Sequence, residues 1–135
     1  MVEKEAPETA GDAQPQYLRR GEDFESLYAN SVYFQPSEWD LKLTFGEVDN
    51  DLKDNRVFIE QHTSIAVPWL QAKLMSYYLG LQVAAYEMEH GPIKVPPTLI
   101  PPEPGPAPEP SMQRLYEYIA KVRQEFFEPQ KSTAQ

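Results

Sequence analysis

Apolar residues in the middle of the chain recur first at every second position and then at helical spacing. The cleanest alternation runs from Trp39 to Phe45, where Trp39, Leu41, Leu43 and Phe45 are separated by Asp40, Lys42 and Thr44. A period of two predicts a strand with one buried and one wet face. Upstream, Leu27 to Phe34 is rich in aromatic and β-branched residues and stops at Pro36-Ser37, and the link Gln35 to Glu38 is short enough for a hairpin. The Gly-, Asp- and Asn-dense run from Gly46 to Asn55 reads as a turn. A third strand, Arg56 to about Val67, places Val57, Ile59 and Ile65 on one face with Gln61 and Thr63. Phe58, Glu60, His62 and Ser64 take the other. An antiparallel meander is the simplest topology for three such strands.

Pro68 then suits a helix start, because its fixed φ and missing N–H cost nothing there. The helix ends at Gly91-Pro92, a C′ glycine followed by a stop. Leu70, Leu74, Tyr77, Leu81, Ala84, Ala85 and Met88 recur at helical spacing, and Leu79, Val83 and Tyr86 widen the apolar region beyond one stripe. A helix apolar on most sides packs against more than one neighbour. One three-stranded sheet offers only one face, so a second subunit or the C-terminal helix is expected to cover the rest.

From Pro92 to Pro110, nine of 19 residues are proline. This predicts an extended, semi-rigid spacer. Ser111 is placed as the cap of a last amphipathic helix, carrying Met112, Leu115, Ile119, Val122 and Phe126 and ending at Pro129. The expected fold class is thus α+β: a meander, one long helix, a proline-rich tether and a second helix. The segments are an acidic disordered tail (1–25), the core (26–91), the linker (92–110), the last helix (111–128) and a disordered tail (129–135).

Composition narrows the function. The opening residues are small, polar and acidic, with no apolar period to offset ordering entropy. They contain no signal-peptide h-region, and no window approaches the roughly 20 apolar residues of a membrane span. A soluble cytoplasmic protein without membrane insertion is expected. The absence of cysteine excludes disulfide frameworks, thiolate metal sites and cysteine nucleophiles. Net charge is −9, carried by residues 1–26 (+3, −7) and 27–91 (+4, −9), while 92–135 balance at +5 and −5. Phosphate-backbone binding needs clustered Lys and Arg, and only Arg19-Arg20 are adjacent, so no nucleic acid is expected. An acidic surface suits basic or unfolded polypeptides.

Candidate chemistry is sparse. His90 falls in the last helical turn, where the macrodipole favours a cation. His62 shares a strand face with Glu60 and Ser64, but side chains two apart on a strand diverge, and no glycine-bounded serine elbow is present. Asp49, Asp51 and Asp54 lack the order and the distal glutamate of a calcium loop. Glu38 and Asp40 flank a tryptophan and are expected to face water. The P-x-x-P spacings around Pro101 to Pro110 are interleaved with Glu103 and Glu109, without the flanking cation that proline-reading grooves use, so a spacer is the preferred reading. No catalytic residue, cofactor or metal is assigned.

Tyr28-Ala29-Asn30, Trp39-Asp40-Leu41 through Phe45-Gly46, the strand entering Pro68 with Ala72-Lys73-Leu74, and Ala85-Tyr86-Glu87 together resemble a short bacterial and archaeal domain family of unknown function. The resemblance covers about Ser26 to Gly91. It departs from the family at the helix entry, where Val67 stands in place of a serine. It implies no catalytic residues, and Tyr28, Asn30, Asp40, Phe45, Gly46, Tyr86 and Glu87 are signature positions only. In outline the chain is also similar to the SecB-type export chaperones, one strand short. The leading expectation is a non-catalytic protein-binding and homo-oligomerising module whose protein partner is unknown. Its interaction surface would draw on Tyr77, Tyr78, Leu81, Met88, Leu115, Ile119, Val122 and Phe126. An ATP-independent, SecB-like client-binding protein is the alternative, and a hydrolase built around His62 a distant third.

Overall fold

The computed structural model describes residues 14–51 and 56–132. The chain divides into two units, Met1–Ala66 and Val67–Gln135. The first holds a three-stranded antiparallel sheet of β1 (Ser31–Pro36), β2 (Asp40–Asp51) and β3 (Arg56–Pro68), in the order β1-β2-β3, with β3 running two residues beyond the unit's edge. The second holds α1 (Trp69–His90) and α2 (Gln113–Ser132), joined by the proline-rich segment. The α+β meander and its two following helices are as the alternation predicts.

Register fixes what the alternation buries. Phe45 pairs with Val32, Leu43 with Phe34 and Leu41 with Pro36, so these apolar residues line one sheet face. Leu43 sits on the central strand at 7% exposure, the one buried apolar side chain among the described residues. On the opposite face the Thr44 and Ser64 hydroxyls meet at 3.2 Å.

The first strand runs over Ser31–Pro36 rather than from Leu27 to Phe34, and two further strand boundaries differ from the sequence expectation. Trp39 lies in the β1–β2 turn, 79% exposed, rather than at the head of the buried stripe. The turn is organised by Ser37. Its N–H donates to the Asp40 carbonyl (2.9 Å), and its Oγ accepts from the N–H groups of Trp39 (3.2 Å) and Asp40 (3.0 Å). A serine that satisfies two backbone donors holds the bend tightly and leaves the tryptophan at its tip. Secondly, β2 continues through Gly46 to Asp51, so a strand occupies the first part of the predicted turn; residues 52–55, Asp54 among them, lie outside the described residues. Long-range pairing with β3 overrides the weak strand preference of Gly, Asp and Asn.

Gly46 shows why glycine stands inside that strand. A Cβ there would collide with the Glu60 carbonyl and lie 3.0 Å from Gln61 Cα, both backbone atoms of β3.

Pro68 precedes α1 and Gly91 follows it at φ 89°, a left-handed conformation that favours glycine, and the Gly91 N–H closes onto the Glu87 carbonyl at 2.9 Å. The last helix departs from expectation at both ends. Ser111 does not cap it; a 3-10 turn, Pro110–Met112, leads in without a side-chain cap. The backbone stays helical past Pro129 to Ser132, since a proline forfeits one helical hydrogen bond without necessarily stopping the helix. The expected N-terminal tail falls partly in residues 1–13, outside the described residues; residues 14–30 carry no regular element beyond a bend at Gly21–Phe24.

Gly46→Ala is expected to destabilise the sheet by about 1–3 kcal/mol, the cost of forcing extra volume against backbone that has no rotamer to yield. Urea denaturation followed by tryptophan fluorescence measures it.

Candidate functional site

Of the signature positions, Asn30, Asp40 and Glu87 sit near the ends of elements and hold the chain there, while Phe45 and Gly46 lie inside β2. Asn30 precedes β1; its N–H donates to the Gly46 carbonyl (3.1 Å), and its Oδ1 accepts from the Val48 N–H (2.8 Å). One side chain thereby extends the β1–β2 ladder beyond Ser31. Asp40 Oδ1 accepts from the Ser37 hydroxyl at 2.9 Å in the hairpin turn. Glu87 Oε2 accepts from the Ile93 N–H at 2.8 Å, tying the chain after α1 back to the helix. One turn on, the Tyr86 ring lies 4.6 Å from that of His90.

His62 is drawn into the same kind of work. Its Nε2 lies 3.0 Å from the Tyr28 carbonyl and its Nδ1 2.8 Å from the Thr63 hydroxyl. A carbonyl only accepts, so Nε2 carries the proton and, in the neutral ring, Nδ1 accepts from Thr63. Ser64 is engaged with Thr44. His62 and Ser64, two of the inviting Ser/His/Glu set, are therefore engaged with separate partners rather than with each other. Among the described residues no group of three His, Asp or Glu side chains is placed to hold a metal. His90 ends α1 as expected, 3.9 Å from Glu89.

The proline-rich segment does more than space the helices. Arg123, on α2, donates from Nε to the Pro101 carbonyl at 2.7 Å, and its guanidinium lies 3.8 Å from Glu103. The Arg123 side chain is only 12% exposed. Met112, Tyr116 and Phe127, at helical steps from Arg123, are half-buried on the same face of α2. The sequence gives no signal for this latch, because a lone arginine in an amphipathic helix reads as a solvated charge.

All eight residues expected to form an interaction surface are exposed. Tyr77, Tyr78, Leu81 and Met88 lie on α1, where the two tyrosine rings meet edge-on at 5.3 Å; Leu115, Ile119, Val122 and Phe126 run down α2 beside the latched face. On α1 the half-buried positions are Ala72, Met75, Val83 and Glu87, and the helix has no fully buried residue. The side opposite them carries Leu70, Leu74, Tyr77, Leu81 and Met88, all open to solvent. Along the described helices this is exposed apolar surface.

Asn30→Ala should cost about 0.5–1.5 kcal/mol through the lost acceptor for Val48. It should also accelerate amide exchange at Val48 more than at β3. Arg123→Ala should release the latch, seen as faster amide exchange at Leu99, Ile100 and Glu103 with α1 unchanged.

The family described as protein of unknown function (DUF3467) matches residues 1–95. No curated protein and no solved structure matches the chain. Among the described residues no helix is long and apolar enough to cross a membrane. The match takes in the whole meander, α1 and the Glu87–Ile93 lock that follows it, and on that span the chain belongs to the DUF3467 family.

Proposed function

We propose that the chain is a non-catalytic module that assembles with copies of itself and binds protein through its helices. The observation that carries this reading is the imbalance of burial: among the described residues Leu43 is the one buried large apolar side chain, while Trp69, Leu70, Leu74, Tyr77, Leu81 and Met88 on one helix stand exposed. Soluble monomers rarely leave a contiguous apolar patch larger than a few hundred Å². A chain that keeps its reactive side chains in backbone locks and its large apolar ones in solvent is built for association. The acidic balance keeps such a surface from indiscriminate aggregation.

Light scattering at micromolar concentration should give a mass of at least twice the 15.5 kDa of one chain. A monomer under those conditions would overturn the reading. His62→Ala is expected to leave the assembly state unchanged, because its contacts are local to Thr63 and Tyr28.

A further inference from the structure

We infer that α1 pairs antiparallel with α1 of a second copy of this chain. The inference rests on the assembly reading above and names the surface and the partner. Leu70, Leu74, Tyr77, Leu81, Ala84 and Met88 are spaced four, three, four, three and four residues apart. That is a repeat of 3.5, the spacing that keeps a seam facing one partner helix, rather than the drifting stripe of a helix on a sheet. The seam carries no charge along 19 residues, and its five large side chains are all exposed.

The flanking residues choose the direction. One edge of the seam carries Lys73, Gly80 and Glu87, seven residues apart, with Glu87 half-buried where this edge borders the opposite side. In an antiparallel pair this edge meets itself, so Lys73 of each copy faces Glu87 of the other, twice by symmetry. In a parallel pair it meets the opposite edge, Gln71, Tyr78 and Ala85, and both charges go unanswered. Glu87 spends Oε2 on the Ile93 N–H, which leaves Oε1 for the lysine.

The core layers agree. Antiparallel alignment sets Leu70 against Met88, Tyr77 against Leu81 and Leu74 against Ala84, each layer filled. Parallel alignment sets Ala84 against Ala84 and leaves a gap.

Gly80 supplies an independent sign. A glycine in mid-helix is unfavourable, and here a Cβ would meet nothing within 4 Å, so the chain itself gives no reason for it. Antiparallel pairing places the two Gly80 residues beside the two-fold axis, where the missing side chains let the backbones approach. The area is sufficient as well. Taking roughly 150–250 Å² per aromatic side chain and rather less per leucine, the seam with Tyr78 exposes on the order of 800 Å², close to what each partner buries in a standard interface.

Disulfide trapping tests the arrangement in the full chain, which contains no cysteine of its own. Leu74→Cys and Ala84→Cys chains, mixed and oxidised, should give a cross-linked dimer containing both variants. Each variant alone should not cross-link, because its two cysteines lie about 15 Å apart along the axis. If Ala84→Cys cross-links to itself while the mixture gives no mixed dimer, the antiparallel arrangement is overturned and the assembly reading stands. If the native chain scatters light as a monomer, both fall. Charge reversal supplies a second measure: Lys73→Glu should weaken dimerisation on the order of tenfold. Comparing Glu87→Lys with the Lys73→Glu/Glu87→Lys double variant isolates the pair, since both lose the Ile93 contact equally. Tighter dimerisation of the double variant is expected, and no difference would overturn the pairing.

Discussion

Apolar surface removed from water holds small folds together, at roughly 25 cal/mol per Å², and this term governs how the rest of the molecule is arranged. Along the described chain it is concentrated at one place, where Leu43 on the central strand sits between its neighbours. The sheet has a single apolar face, and the helices keep most of their large side chains in solvent. Conformational entropy of about 1–2 kcal/mol per ordered residue weighs against so little burial. The proposed assembly would bury the exposed leucine, tyrosine and methionine of α1, and in a chain that assembles so, folding and assembly are linked.

Where burial is thin, directional bonds at element ends carry more of the specification. Asn30 extends a ladder, Ser37 and Asp40 tie a hairpin, Gly46 lets two backbones meet, and Glu87 fastens the chain leaving α1. Each is worth little alone, about 1 kcal/mol, but together they fix register and exit direction in a sheet whose packing leaves both underdetermined. Four of the family-signature residues, Asn30, Asp40, Gly46 and Glu87, coincide with these locks, and at those positions the resemblance reports on architecture.

Periodicity is legible in this sequence wherever it reflects one face against another. The Leu41–Leu43–Phe45 alternation, the helix between Pro68 and Gly91 and the amphipathic pattern of α2 all follow from local spacing. What local spacing cannot reach is pairing at a distance. Gly46 to Asp51 looks like a turn because its residues dislike strands, and only the approach of β3 makes it one. Trp39 looks like a core residue because it falls in phase, and only the Ser37 bend removes it. The Arg123 latch joins residues 22 apart through a backbone carbonyl, which no side-chain pattern marks. The candidate surface was legible as an excess of apolar positions.

The Arg123 latch has a consequence for the conditions under which the proline-rich segment stays in place. Its donor is a guanidinium and its main acceptor is an uncharged carbonyl. The pairing with Glu103 is long and the carboxylate is exposed, so salt that screens it removes little. The segment is therefore held by a contact nearly indifferent to ionic strength. The helix pairing proposed above leans on the charges of Lys73 and Glu87, so raising the ionic strength would loosen it while leaving the latch fastened.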